Sequence, residues 1–177
     1  MTKSADISLP LDEPGVVHHA QPVWRACGAA HVAVYGTLRA GCINDIAKLR
    51  PGIACQGKTL LTGTLYDLGW YPGLVLHGEQ AVLAEVYPMD DALEQAMDGI
   101  EGLWPQDLGE YRKRVLTLPV MQLQGGQQPM ALLVYEARPA TVRQAPVIAA
   151  SDWRAWMRSK GAHPGMVFQL NTVQASG

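Results

Sequence analysis

Several short segments of this chain have the residue pattern of β-strands, and most of the connections between them are short. The segments cover residues 31–36, 60–69, 71–78, 81–87, 110–121 and 130–137. Parallel neighbours in a sheet need a connection of a dozen or more residues, so short connections favour antiparallel or mixed pairing. We therefore predict an α+β fold built on a small mixed, mostly antiparallel β-barrel with flanking helices.

The clearest helical pattern covers residues 89–102. Apolar side chains recur there every three or four residues and form one face: Met89, Leu93, Ala96, Met97 and Ile100. Asp91 is predicted as the N-cap, with Glu94 three residues later as in a capping box, and Gly102 as the first residue beyond the helix. Glu101 lies at the margin of the apolar face, whereas Asp98 is predicted to face solvent.

Turn and cap residues set the other predicted boundaries. We expect a short helix or turn over 42–52, a hairpin turn at Gly78-Glu79, and a helix over 151–160 that begins at Ser151.

The composition is that of a globular chain, with 48% apolar and 17% charged residues among 177. This length is typical of one domain with its own core. The predicted layout is a loose leader at 1–29, a single domain at 30–160 and a C-terminal tail at 161–177.

Charge and hydropathy argue against two classes of partner. The formal net charge is −2 and no long basic run occurs, so we predict no nucleic-acid partner. No apolar run approaches the roughly 18 residues of a membrane span, and the N-terminus lacks the apolar core of a secretory signal. Three widely spaced cysteines do not suggest a disulfide framework. We predict a cytoplasmic protein with reduced thiols.

No metal site or cofactor is predicted. The histidines lack the spacing of metal-ligand motifs, and the His18-His19 pair is interpreted as part of a solvated tail.

Residues 52–59 match the phosphate-loop pattern G-x-x-x-x-G-K-[ST] letter for letter. A phosphate loop needs a strand before it and a helix after it. Here a helical piece precedes the match and the strand pattern of 60–69 follows it. The match is therefore interpreted as accidental, with Gly57-Lys58 as a surface turn.

The segment 34–41, "VYGTLRAG", is the first candidate for chemistry. A strand that ends in Tyr35-Gly36 and then turns can present consecutive backbone N–H groups to a carboxylate or phosphate. Arg39 could add a bidentate partner for a carboxylate. The same letters are also typical of an ordinary chain reversal.

Two further candidates follow from position. Glu101 would have a raised pKa beside an apolar interior and at a helix C-terminus, as a general base requires; a surface glutamate is the alternative. Tyr111 and Arg114, at the start of a strand, could orient a ligand and hold a carboxylate.

The chain resembles the gamma-glutamylcyclotransferase superfamily over about residues 31–158. The resemblance rests on short motifs in the same order as in that superfamily: "VYGTLR" (34–39), "YPGLV" (71–75), "AEVY" (84–87), "MDGIEGLWP" (97–105) and "EYRKRV" (110–115).

This resemblance implies an enzyme that cyclises a γ-glutamyl amine or γ-glutamyl amino acid to 5-oxoproline and releases the amine. It implies Glu101 as the catalytic carboxylate, Tyr111 as a ligand contact, and a substrate-binding loop formed by Tyr35, Gly36, Thr37 and Leu38. No cofactor is implied. A small-molecule binding module on the same barrel, without turnover, is the alternative.

Overall fold

The computed structural model describes residues 23–162, in which five strands close into a barrel in the order β1-β3-β2-β4-β5. The elements, in chain order, are β1 (His31–Val34), α1 (Ile46–Leu49), β2 (Gly57–Asp67), β3 (Pro72–Pro88), α2 (Asp91–Ile100), β4 (Tyr111–Gln122), β5 (Gln127–Ala137), α3 (Pro139–Val142) and α4 (Trp153–Ser159).

Pairing in the barrel is antiparallel at every seam except β1–β5, which is parallel. The predicted mixed, mostly antiparallel barrel with flanking helices is confirmed. The β2–β4 seam is short, since it pairs only Gly57 with Gln122 and Lys58 with Met121. Gly57 is thus buried in a strand, and the prediction of a surface turn at this position was wrong.

A strand follows residues 52–59, as predicted, because β2 continues to Asp67. The phosphate-loop match therefore lacks the helix N-terminus that would hold phosphates. No helix among the described residues combines the length and apolar character needed to cross a membrane.

The predicted hairpin at Gly78-Glu79 was wrong, because residues 72–88 form one long strand, β3. The pairing with β2 jumps from Thr64–Val75 to Gly63–Gln80, so residues 76–79 bulge out of the ladder. The Thr64 hydroxyl donates to the carbonyl of His77 at 2.7 Å and holds this bulge. A bulge bends a strand without ending it, and the turn-forming residues serve that bend.

Alternating side chains build two apolar clusters on opposite faces of the sheet. The first takes residues from all five strands and is the barrel interior, with Trp153 and Met157 of α4 packed against it. The second lies under α1 and α2 and includes Val32, Leu93 and Met97. Helix α2 is thus held against the outer surface of β1 and β5.

The caps of α2 and α4 differ from prediction by one residue each. Asp90 caps α2 by accepting a hydrogen bond from the Leu93 N–H at 2.9 Å, and Asp152 caps α4. Asp91 and Ser151 are therefore not the caps. Glu94 does not complete a capping box, because its carboxylate accepts the Cys27 N–H at 2.8 Å.

Residues 23–29 of the predicted leader are packed against α2. The Trp24 indole N–H donates to Asp98 at 2.7 Å, beside the Cys27–Glu94 hydrogen bond. The rest of the leader, with His18-His19, and the tail from 163 onward lie outside the described residues.

Candidate active site

A cavity of about 250 Å³ opens where β1 ends, beside the C-terminus of α2 and the start of β4. Its lining residues come from several separate parts of the chain: Ala33 to Leu38, Asn44, Trp70 to Pro72, Ile100 to Gly102, Leu108, Glu110, Tyr111 and Tyr135. Only the fold brings these segments together. The cavity includes Glu101, Tyr111 and the loop that the sequence analysis selected.

The loop after β1 lines this cavity and contains backbone amides without a hydrogen-bond partner among the described residues. The carbonyls of Gly36, Thr37 and Leu38 accept N–H groups from residues 39, 44 and 46 at 2.9–3.1 Å. Within residues 23–162, the N–H groups of the same three residues donate no hydrogen bond. Consecutive free N–H groups of this kind bind anionic oxygens.

Gly36 lets this loop pack closely against the segment before β3. A Cβ added at Gly36 would lie 2.8 Å from Cγ of Pro72, inside the distance of any normal contact. The proline ring has little freedom to move away. A side chain at position 36 would therefore displace the loop and its amides.

Glu101 is the C-cap residue of α2, and its side chain is half-buried in the cavity wall. Gly102 has φ +66°, which lets the chain leave the helix, and the Leu103 N–H closes the turn on the carbonyl of Asp98 at 2.8 Å. The predicted helix end at Gly102 is confirmed. This turn fixes the direction in which Glu101 projects.

Burial raises the pKa of Glu101 to about 8, and the negative charges of Asp98 and Glu110 act in the same direction. The hydrogen bonds between described residues include none to its carboxylate. The negative end of the helix dipole further disfavours the ionised form. Glu101 is thus a carboxylate that binds a proton more tightly than an ordinary glutamate.

Asp98 does not face solvent, contrary to prediction, because it is only 2% exposed. Three donors satisfy its carboxylate: Lys113 at 2.8 Å, the Tyr135 hydroxyl at 2.8 Å and the Trp24 indole. Lys113 also contacts Glu94 at 2.6 Å. The buried face of α2 therefore includes Glu94 and Asp98, whereas Ala96 and Ile100 of the predicted apolar face are exposed.

The two predicted tyrosines line the cavity but use their hydroxyl hydrogens within the protein. Tyr35 donates to the carbonyl of Tyr135 at 2.8 Å, and Tyr111 donates to the carbonyl of Pro72 at 2.9 Å. Burial raises the pKa of both hydroxyls, which keeps them protonated. These hydrogen bonds hold the wall of the cavity in place.

The two predicted arginines are not in the cavity wall. Arg39 is 3% exposed and forms ion pairs with Glu85 at 3.1 Å and Asp152 at 2.6 Å, which join the loop to β3 and α4. Arg114 contacts Glu136 at 3.1 Å. Both guanidinium groups bind carboxylates of the protein, and neither arginine lines the cavity.

Four residues that line the cavity were not predicted from the sequence: Trp70, Tyr71, Glu110 and Tyr135. Tyr71 lies in "YPGLV" and Glu110 in "EYRKRV", so the motifs contained a signal for these two. Trp70 and Tyr135 carried none. No group of three or more metal-binding side chains occurs within the part of the chain that the structure describes.

The family model described as gamma-glutamyl cyclotransferase, AIG2-like, matches residues 32–155. The chain belongs to this family, which confirms the resemblance noted in its motifs. A Vibrio cholerae protein named "Putative gamma-glutamylcyclotransferase" is 40% identical over 88 residues, which are 50% of this chain and 72% of that protein.

Two solved structures share the fold. A mouse AIG2-like protein has a TM-score of 0.53 and 22% identity, with 79% of this chain and 97% of the mouse chain covered. An uncharacterized protein from Pyrococcus horikoshii has a TM-score of 0.51 and 21% identity, with 75% and 97% covered. At these identities the likeness concerns the architecture.

Proposed function

We propose that this protein is a gamma-glutamylcyclotransferase that converts a γ-glutamyl amine or γ-glutamyl amino acid to 5-oxoproline and the free amine. One observation carries the proposal. Glu101 and the backbone amides of Gly36, Thr37 and Leu38 line the same small cavity, and none of these groups has a hydrogen-bond partner within residues 23–162. The family of the chain supports the same reaction class.

In the proposed reaction, Glu101 removes a proton from the α-ammonium of the substrate. An ordinary glutamate is too weak a base for this step. A pKa raised to about 8 brings the pKa of Glu101 close to that of the α-ammonium group from which it takes the proton. The α-nitrogen then attacks the γ-carbonyl carbon. The C–N bond to the leaving amine breaks as that amine takes the proton from Glu101. The ring nitrogen then gives up its second proton, through Glu101, to the free amine, which leaves as an ammonium.

The amides of Gly36, Thr37 and Leu38 supply donors for the α-carboxylate and for the oxyanion that develops on the γ-carbonyl. The attack closes a five-membered ring within one molecule, so fixing the folded conformation supplies much of the acceleration. Orientation effects of this kind reach roughly 7–11 kcal/mol. The tyrosine hydrogen bonds at the cavity wall serve this rigidity.

The protein should release 5-oxoproline from at least one member of a panel of γ-glutamyl amines and γ-glutamyl amino acids. Glu101→Gln keeps the shape of the side chain but removes the base, and should lower kcat by about 10²–10⁴-fold. The product can be measured by liquid chromatography and mass spectrometry.

Glu79→Gln is the matched control, because Glu79 is exposed and does not line the cavity. Equal turnover by wild type and Glu101→Gln would contradict the role of Glu101. Binding of γ-glutamyl compounds without any 5-oxoproline would indicate a binding module in place of an enzyme.

A cytoplasmic location is part of this proposal. All three cysteines, Cys27, Cys42 and Cys55, are free thiols. Free cysteines are usual in proteins of a reducing compartment.

A further inference from the structure

The mouth of the cavity holds a second carboxylate, Glu110, which the proposed reaction does not use. Its backbone is fixed because its carbonyl accepts the Arg138 N–H at 2.8 Å and the Thr141 hydroxyl at 3.1 Å. One carboxylate oxygen accepts the Tyr71 hydroxyl at 3.2 Å. The residue is exposed, and no described residue donates a hydrogen bond to its second oxygen.

No positive charge of the described residues lines this cavity. Its ionisable side chains are Glu101, Glu110 and four tyrosines, without lysine, arginine or histidine. The nearby Arg138 is paired with Asp107, and Lys113 is held by Glu94 and Asp98. Glu110 thus has no salt bridge within residues 23–162, whereas a carboxylate on the leaving group would meet only acids.

Apolar and aromatic surface surrounds Glu110. Trp70 is 52% exposed, and its ring lies edge-on to Tyr71 with the centroids 4.7 Å apart. Ile100 and Leu108 are also exposed at this cavity. Aromatic faces attract organic cations, and exposed aliphatic side chains accommodate an alkyl chain.

We propose that the cavity mouth selects substrates whose leaving amine carries a second positive charge at the end of an alkyl chain, with Glu110 and Trp70 as the specificity-determining residues. This inference rests on the proposed function and narrows it. The preferred class is the mono-γ-glutamyl derivatives of alkyl diamines. Derivatives whose leaving group ends in a carboxylate are disfavoured.

Three substrates of similar length test the charge directly: the γ-glutamyl amides of 1,5-diaminopentane, hexylamine and 6-aminohexanoate. Their leaving groups end in an ammonium, a methyl group and a carboxylate. One partly exposed ion pair with an aromatic neighbour should raise kcat/KM of the cationic substrate roughly three- to tenfold over the neutral one. The anionic substrate should be the slowest.

Glu110→Gln should bring the ratio of kcat/KM for the cationic and neutral substrates close to one, and Trp70→Leu should lower it in part. Glu79→Gln removes one negative charge elsewhere on the surface and should leave the ratio as in wild type. Equal rates for all three substrates, or an unchanged ratio in Glu110→Gln, would overturn the selection by charge.

Calorimetry measures the affinities of the three compounds for the Glu101→Gln variant. These affinities show the charge preference of the cavity mouth in the absence of turnover. They should rank in the same order. If no compound releases 5-oxoproline but this ranking holds, the proposed reaction fails and the charge selection stands. If 5-oxoproline is released but the affinities and rates do not depend on the charge of the leaving group, the charge selection fails and the proposed reaction stands.

Discussion

The side chain of Glu101 lies where its ionised form is disfavoured from several directions. Burial acts first, and the carboxylates of Asp98 and Glu110 add to it. Lys113 forms an ion pair with Asp98, and the Tyr135 hydroxyl donates a hydrogen bond to the same carboxylate. Lys113 makes no ion pair with Glu101 itself. Burial alone would lower the pKa of Lys113, but its hydrogen bonds to Asp98 and Glu94 raise it, so the lysine stays charged.

The raised pKa of Glu101 implies a pH-dependent cost to stability. The folded state binds the Glu101 proton more tightly than the unfolded chain does, so the contribution of Glu101 to stability is most favourable below about pH 4.5 and declines as the pH rises toward 8. The decline stops above the folded pKa. Since one pKa unit corresponds to about 1.4 kcal/mol, the cost is on the order of several kcal/mol.

Glu101→Gln should therefore be more stable than wild type in urea unfolding at pH 9, and the difference should shrink as the pH falls from 8 to 4.5. Glu79→Gln should follow wild type across this range. If the difference in stability between Glu101→Gln and wild type does not change with pH, the raised pKa of Glu101 is contradicted.

At the scale of elements, the end of α2 determines where Glu101 projects. The helix contains Gly99 and is followed by Gly102, and the two glycines have opposite roles. Gly99 is exposed and helical, and an added Cβ would meet only the Trp104 carbonyl at 4.0 Å. Gly102 has φ +66°, where a side chain is strained.

Gly99→Ala should stabilise the protein by about 0.5–1 kcal/mol, because alanine loses less backbone entropy in a helix. Gly102→Ala should destabilise it by about 1–2 kcal/mol, because an L-residue is strained in the left-handed region. Urea unfolding measures both. The two changes form a matched pair, and a shift of the same sign in both variants would contradict this account of the helix end.

For the whole molecule, closure of the barrel depends on the short β2–β4 seam. A Cβ at Gly57 would lie 2.5 Å from the Met121 carbonyl and 2.7 Å from Cγ1 of Val120. The strands can pair at this point because position 57 has no side chain. The next residue, Lys58, is exposed.

Gly57→Ala should destabilise the protein by about 1–3 kcal/mol, as overpacking of a tight contact does. Lys58→Ala removes an exposed side chain from the same seam and should change stability by less than about 0.5 kcal/mol. Thermal unfolding of both variants checks this. Similar unfolding temperatures for the two would show that the seam tolerates a side chain at position 57.

Much of the fold could be predicted because local patterns agree with it. Strand patterns with short connections predicted the barrel, and the strand after Thr59 excluded a phosphate loop. The family resemblance carried by the motifs implied Glu101 and the loop at Tyr35–Leu38 as site residues, and both lie at the end of a local element, a helix and a strand. These inferences need only neighbours in sequence.

Only the tertiary structure decided which charges are buried and which side chains line the cavity. Asp98 of α2 can be buried because Lys113 on β4 and Tyr135 on β5 donate hydrogen bonds to its carboxylate. Arg39 is withdrawn from the cavity because Glu85 and Asp152 meet it from distant parts of the chain. The energy of a buried charge depends on partners brought together by the fold, and their distance along the chain hides them from any local pattern.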